Sequence, residues 1–121
     1  MKYIMAHDMG TSSDKAVLID FTGNIVASKA VPYPTYYPSP AFVEQDPGEY
    51  WDAVCLASKT IIEETGIDPK DVEGVVFSTQ AIGIIPVDAN GRVLHPNITW
   101  VDGRAEKQAQ TLMKKVGGKR T

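Results

Sequence analysis

A chain of 121 residues, 43% hydrophobic and 22% charged, is enough for one domain with a real core. A formal net charge of −3 argues against a nucleic-acid footprint, and the single cysteine, Cys55, rules out an internal disulfide framework and fits a reducing cytoplasm. There is no apolar run of roughly 18 residues to cross a membrane, and the first apolar run is too short for a signal peptide.

The chain opens with the apolar run Tyr3-Ile4-Met5-Ala6, and a second run follows at Ala16-Val17-Leu18-Ile19. Between them lies Asp8-Met9-Gly10-Thr11-Ser12-Ser13-Asp14-Lys15. Two apolar runs around a Gly/Ser/Thr/Asp cluster read as a β-hairpin. Its turn suits phosphate. Gly10 permits close backbone approach, Thr11, Ser12 and Ser13 add hydroxyls to a potential nest of backbone N–H groups, and Lys15 adds a point charge. Asp8 ends the first strand and is placed to hold Mg²⁺ directly or through water. This is not a Walker loop, because no helix follows. Most Gly/Ser/Thr turns are only polar hairpin tips; the order Asp, Gly, Thr, Ser, Lys between two strands favours phosphate.

Strands are predicted at about 2–8, 14–20 and 24–32, with turns at Gly10–Ser13 and at Phe21-Thr22-Gly23-Asn24. The third strand lacks a clean amphipathic alternation and suits a two-sided environment. Residues 32–41 carry Pro32, Pro34, Pro38 and Pro40 with Tyr33, Tyr36 and Tyr37, an extended loop that packs on its own domain.

A helix then starts clearly, with Asp46 as N-cap, Pro47 at the first position and Glu49 at the third, a capping-box pattern. Tyr50, Trp51, Val54, Cys55, Ala57, Ile61 and Ile62 recur at helical spacing, so Trp51 reads as a core anchor and Cys55 as a buried thiol. Glu63 and Glu64 face solvent and Gly66 stops the helix. A turn at Asp68–Asp71 leads to a buried strand, Val72–Ser78. A further strand at Ile82–Val87, a turn at Asp88–Gly91 and a short strand at Ile98–Val101 follow. The last helix is expected from Asp102, as N-cap, to Val116, with Ala105, Ala109, Leu112, Met113 and Val116 inward. Gly117-Gly118 stops it, and the basic end, Lys114-Lys115 and Lys119-Arg120, is a solvated terminus. The order β-β-β-α-β-β-(β)-α implies a mixed sheet with helices on its faces, without a Rossmann repeat or any internal repeat. His7 and His95 lack metal-ligand spacing and read as structural.

Four segments together resemble one family. They are the Asp8–Lys15 octet, Val43-Glu44-Gln45-Asp46-Pro47 leading to Tyr50-Trp51, Ser78-Thr79-Gln80, and Trp100-Val101-Asp102-Gly103-Arg104. In this order they are similar to the N-terminal part of the FGGY carbohydrate kinases, nearest to xylulokinases, within the actin/hexokinase/Hsp70 superfamily. The resemblance implies an α/β fold, an actin-like ATPase (ribonuclease H-like) domain, of which residues 1–121 are the N-terminal portion. It implies transfer of the γ-phosphoryl of ATP, with Mg²⁺, to a hydroxyl of a sugar or polyol, a xylulose-like substrate being favoured. Asp8 would lie at the metal and the transferring phosphate. Gly10, Thr11, Ser12, Ser13 and Lys15 would cradle phosphate. Gln80, Ala81 and Trp100 would line the sugar pocket with Asp102 and Arg104 nearby.

On the residues alone, Trp100 fits a core position as well as a pocket, Asp102 also fits a helix cap, Arg104 also fits a local ion pair, and Glu44-Gln45-Asp46 reads as largely structural. The sequence departs from the family at Ala81-Ile82, where xylulokinases carry Met-His and glycerol kinases Arg-Glu. A site selects a hydroxylated substrate through its polar partners, so the sugar is left open there. Family members are several times longer and keep their general-base Asp and adenosine site beyond the region matched here. The 121 residues alone are therefore expected to be inactive. Loss of a general base costs about 10²–10⁴-fold. The net charge, the single cysteine and the lack of a long apolar run lead to the expectation of a cytoplasmic protein with no nucleic-acid or membrane partner, and a homo-oligomer is left open. A stand-alone binding or assembly module with this fold, or another actin-like ATPase, is the alternative.

Overall fold

The computed structural model describes residues 1–117. In chain order it contains β1 (Tyr3–Met9), β2 (Ser13–Asp20), β3 (Ile25–Pro32), β4 (Glu44–Gln45), α1 (Pro47–Thr65), a 3-10 turn (Pro69–Asp71), β5 (Val72–Thr79), β6 (Asn97–Ile98) and α2 (Glu106–Val116). These form two compact units, one of Met1–Pro34 with Asp46–Ile82 and one of Thr35–Gln45 with the described part of Gly83–Thr121.

The first unit is a four-stranded mixed sheet of order β3-β2-β1-β5. β1 and β2 pair antiparallel with Asp8 opposite Lys15, β2 and β3 pair antiparallel, and β1 and β5 pair parallel with Asp8 beside Ser78. Because side chains alternate across a strand, Met5 and His7 turn to one face and Ala6 and Asp8 to the other. α1 covers the first face. There Met5, Ala16, Leu18, Ala57 and Ile61 form the core, and Tyr33, Tyr50 and Ala53 form a second cluster. Leu18 and Ile61 are fully buried, which contributes roughly 1.5–3 kcal/mol each.

The ends of α1 follow from local chemistry. The Asp46 carboxylate accepts from the Gly48 N–H at 2.7 Å, so the cap bond goes to the second helical residue. Gly66, at φ +67°, sends its N–H back to the Ile62 carbonyl, a left-handed stop that glycine adopts without strain. In the turn after β2, the Asp20 carboxylate accepts from the Thr22 N–H and hydroxyl and from the Asn24 N–H.

In the second unit, β4 and β6 pair antiparallel, Glu44 opposite Ile98 and Gln45 opposite Asn97. Single bridges join Tyr36 to Glu44, Ile84 to Ile98 and Val87 to Val93. The Asp88 carboxylate closes the turn at Asp88–Gly91 through the N–H groups of Asn90 and Arg92.

Several expectations are corrected. β5 forms but is not buried. Among the described residues it is an edge strand paired with β1 alone, and Val75, Val76 and Phe77 are each about half exposed. Trp51 is 63% exposed and Cys55 is exposed, because the buried stripe of α1 runs through Tyr50, Ala53, Val54, Ala57 and Ile61. Residues 82–87 do not form a strand. Ile82 sits at φ +66°, a region β-branched residues rarely occupy, and Pro86 cannot donate to a ladder. The strand expected at Ile98–Val101 is confined to Asn97–Ile98.

α2 begins at Glu106 with Ala105 as its cap residue, so Asp102 is not the N-cap; its carboxylate is taken by Val43 and Arg104. Ala105, Ala109, Leu112, Met113 and Val116, expected inward, are all exposed. Gly117 stops the helix at φ +71°, and Gly118 and Lys119-Arg120 lie outside the described residues.

Candidate functional site

The Gly10–Ser13 turn is shaped from below by Tyr33. Gly10 N–H donates to the Ser13 carbonyl at 3.0 Å, and Tyr33 N–H donates to the Ser12 carbonyl at 3.1 Å. The Tyr33 hydroxyl donates to the carbonyls of Gly10 and, at 3.1 Å, Ser13. In a planar trans peptide the N–H points opposite to the preceding carbonyl. Drawing the carbonyls of Gly10 and Ser12 toward Tyr33 therefore turns the N–H groups of Thr11 and Ser13 the other way. Burial, with the nearby charges of Tyr50, Asp14 and Asp8, pushes the Tyr33 hydroxyl up to about 12, so it remains a donor at neutral pH. Tyr33 is held in turn by its edge-to-face contact with Tyr50, ring centres 4.9 Å apart. The sequence marked the Pro/Tyr loop as packing on its own domain but not this tyrosine's partner. Pro32 and Pro34 around it are the only local hint.

Asp8 and Lys15 stand opposite each other on the sheet face away from α1, both exposed. Directly opposed residues of an antiparallel pair have Cβ atoms about 4.5–5.5 Å apart. With Ala6, Val17, Val76 and Ser78 they line a concavity of about 410 Å³. A Cβ at Gly10 would meet nothing nearer than the Ser13 carbonyl oxygen at 3.7 Å. Packing does not demand glycine there, and the space is open to a ligand.

Among the described residues, no three His, Cys, Asp or Glu side chains cluster to hold a metal. A single exposed carboxylate fits a cation such as Mg²⁺, which commonly takes one or two protein carboxylates and fills its other positions with water and phosphate oxygens.

Gln80 lies at the same end of the sheet. Its N–H donates to the Met9 carbonyl at 2.8 Å and its side-chain amide to the Tyr50 hydroxyl at 3.3 Å. The turn after β1 and the Gln80-Ala81 segment after β5 thus both lie at the carboxyl ends of two parallel neighbours, where open α/β sheets bind ligands. Asp8, Gly10, Thr11, Ser12, Ser13, Lys15, Gln80 and Ala81 all belong to this first unit.

Trp100, Asp102 and Arg104 belong to the second unit. Trp100 is 53% exposed, so it is not a core residue. The Asp102 side chain is 2% exposed. One of its oxygens accepts from the Arg104 N–H at 3.0 Å and Nε at 2.8 Å; the other accepts from Arg104 Nη2 at 2.8 Å and Val43 N–H at 2.6 Å. Arg104 Nη2 also donates to Glu44 at 2.6 Å, and the guanidinium lies over the Phe42 ring. The Arg104 hydrogen bonds hold the Asp102 carboxyl well below the usual carboxylate range, and Asp102 and Glu44 raise Arg104 further. The local ion pair read for Arg104 is thus present, and it extends to Glu44, which the sequence did not connect to it.

His7 is buried against Asp14 and Ser58, in keeping with a structural residue. His95 is partly exposed, with Nε2 3.7 Å from Glu44.

The sequence pattern of the FGGY family of carbohydrate kinases, N-terminal domain, matches residues 3–121. A glycerol kinase from Thermoanaerobacter sp. (strain X514) is 37% identical over 100 residues, 82% of this chain and 20% of the relative. A xylulose kinase from Staphylococcus epidermidis is 34% identical over 109 residues, 90% of this chain and 22% of the relative. The crystal structure of a ligand-bound xylulose kinase from Lactobacillus acidophilus superposes with a TM-score of 0.87 at 32% identity, over 97% of this chain and 23% of that one. The chain thus spans about a fifth of the length of the curated relatives it matches.

Proposed function

The chain belongs to the FGGY family of carbohydrate kinases, and from that premise we propose that residues 1–121 supply the phosphate hairpin and part of the sugar wall of an ATP-dependent sugar kinase. The observation that carries this reading is Asp8 opposite Lys15 beside a turn whose carbonyls are drawn inward by Tyr33. Phosphoryl transfer depends mainly on positioning and on neutralising charge. Thr11, Ser12 and Ser13 contribute N–H and hydroxyl donors to phosphate oxygens, and Lys15 a fixed positive charge. Asp8 holds a divalent cation, which when bound offsets phosphate charge.

In this reading Gln80 and Ala81 on the first unit, and Trp100 on the second, are the residues offered for sugar binding. Asp102 and Arg104 hold the loop that carries Trp100, since their charged groups are engaged with each other and with Glu44 and Val43. No residue here is assigned as the base that deprotonates the sugar hydroxyl. The xylulose-like substrate rests on Gln45-Asp46-Pro47 and the Trp100–Arg104 pattern. Relatives of both glycerol and xylulose types match the chain, so substrate identity is decided by assay.

The assay offers D-xylulose and glycerol, with ATP and Mg²⁺, to the enzyme expressed from its full reading frame. Sugar phosphorylation that Asp8→Ala lowers at least about 10²-fold supports the reading. Phosphorylation unaffected by both Asp8→Ala and Lys15→Ala, or ATP hydrolysis with no sugar product, overturns it. The 121 residues alone are expected to show no sugar phosphorylation.

A further inference from the structure

His7 Nδ1 lies 2.8 Å from Asp14 Oδ2, and both side chains are wholly removed from solvent. Ser58 of α1 meets His7 Nε2 at 3.2 Å, and the Phe77 ring stacks on the imidazole at 5.1 Å between centres. The second Asp14 oxygen, Oδ1, is buried without a hydrogen-bond partner among the described residues. Around this chain of groups the face is apolar, with Met5, Ala16, Leu18, Ala57 and Ile61.

A buried charged or polar pair contributes little net stability compared with apolar side chains of the same volume, and an unpartnered oxygen is a further cost. What such a pair can supply is a unique arrangement. Its position shows which arrangement. His7 directly precedes Asp8, and Asp14 directly follows Ser13 and precedes Lys15. The pair is diagonal across β1 and β2, where His7 faces Ala16 and Met9 faces Asp14. A one-residue slip would send the two groups to opposite faces and carry Asp8 and Lys15 with them. That slip would also turn Ala16 and Leu18 out of the core, whereas a two-residue slip leaves the apolar residues on their own face, where contacts are not directional, and is opposed by the His7–Asp14 contact.

We propose that His7, Asp14 and Ser58 are positioning residues that lock the β1–β2 register and pin the base of the Gly10–Ser13 turn to α1, so that Asp8 stays opposite Lys15. The catalytic consequence rests on the phosphate reading given above; the lock itself does not.

The test uses the full-length enzyme and the double variant His7→Leu/Asp14→Val, which refills the core with apolar groups. Its melting temperature is expected to match or exceed that of the parent. Amide hydrogen exchange at Thr11, Ser12 and Ser13 is expected to quicken by about tenfold or more. A small misplacement at a reacting centre costs up to about 10²-fold, so kcat is expected to fall by about tenfold or more with KM for the sugar unchanged. Faster exchange in a thermally intact variant supports the lock, and parental exchange overturns it. Should the double variant fail to fold, Ser58→Ala removes only the α1 link, and the same exchange readout decides. Asp8→Ala separates the two readings. Full activity in that variant sinks the phosphate reading while exchange still judges the lock. Lost activity there, beside a double variant that exchanges and turns over like the parent, sinks only the lock.

Discussion

Arg104 donates from Nη2 to Glu44 Oε1 at 2.6 Å, joining residues 60 positions apart in sequence. Together with the bidentate contact to Asp102, this leaves the guanidinium engaged on two carboxylates and stacked over Phe42. A planar fork can do this and an ammonium cannot. The contacts bind the Phe42–Glu44 segment to the loop that carries Trp100. A pattern of Trp, Asp and Arg at alternate positions is thus met by one exposed aromatic and two charged groups that hold its loop.

The pair makes the second unit acid-sensitive. The Asp102 carboxyl is held down first by the Arg104 hydrogen bonds and then by the Val43 N–H, against a burial effect that pushes it up. A carboxyl lowered in the folded state contributes stability that is present above its unfolded value of 3.8 and is lost as pH falls toward its lower folded value. Asp102→Asn is therefore expected to lower stability at neutral pH and to flatten the acid limb below about pH 4. Denaturant melts at a series of pH values check this. Parallel acid limbs in parent and variant would falsify the assignment.

Tyr33→Phe isolates the hydroxyl under the Gly10–Ser13 turn. The ring keeps its contact with Tyr50, and only the bonds to the Gly10 and Ser13 carbonyls go. The one hydroxyl proton shared between these carbonyls is lost, at a cost of about 1 kcal/mol, while the Ser13 carbonyl keeps the Gly10 N–H; the full-length protein is expected to lose rate with the loosened turn if the proposed function holds. Because the hydroxyl is raised from 10.0 to about 12, its contribution is whole below pH 10 and fades as pH rises through 12. The parent is therefore expected to lose stability in strong alkali more steeply than Tyr33→Phe. Equal alkaline limbs would mean that the hydroxyl does not hold the turn.

What was legible in the sequence was local. Asp46, Pro47 and Gly66 fix both ends of α1 through contacts within a few residues, and the three-strand meander with its two turns follows from Gly10–Ser13 and Phe21–Asn24. Burial was less legible. Val75, Val76 and Phe77 in β5, and Leu112, Met113 and Val116 in α2, are apolar and periodic yet exposed. Apolar periodicity records that a face is suited to being covered, not that a cover lies within the same 121 residues. In the candidate site, the nearness of Asp8, Gly10 and Lys15 was readable because they share one hairpin. The contacts of Tyr33, Ser58 and Glu44 were not, since each acts on residues 20 to 60 positions away.

Asp20 gives a test of the second turn that needs no assumption about function. Its carboxyl is lowered from 3.8 to about 2, chiefly by the Thr22 hydroxyl and then by the Asn24 N–H. The folded value lies below the unfolded one, so the turn keeps this support above pH 3.8 and loses it as pH falls through 2. Site-resolved NMR titration is expected to place Asp20 near 2 and to move it upward in Thr22→Ala. A midpoint near 4 in the parent would mean that the Asp20–Thr22 contact does not form.

Leu18 and Leu112 make the sharpest contrast in packing. Leu18 is wholly buried between the sheet and α1, whereas Leu112 on α2 is 61% exposed. Truncating a buried leucine removes its transfer free energy and leaves a cavity. Leu18→Ala is expected to cost the 121-residue chain about 2–5 kcal/mol in urea unfolding, and Leu112→Ala to stay within about 0.5 kcal/mol of the parent. In the full-length enzyme the Leu18 cost should persist. If α2 is covered there by further chain, Leu112→Ala should become costly in that setting alone, because only then does the truncation open a cavity. A large cost for Leu112→Ala in the 121 residues themselves would show that α2 packs more tightly than its exposure indicates.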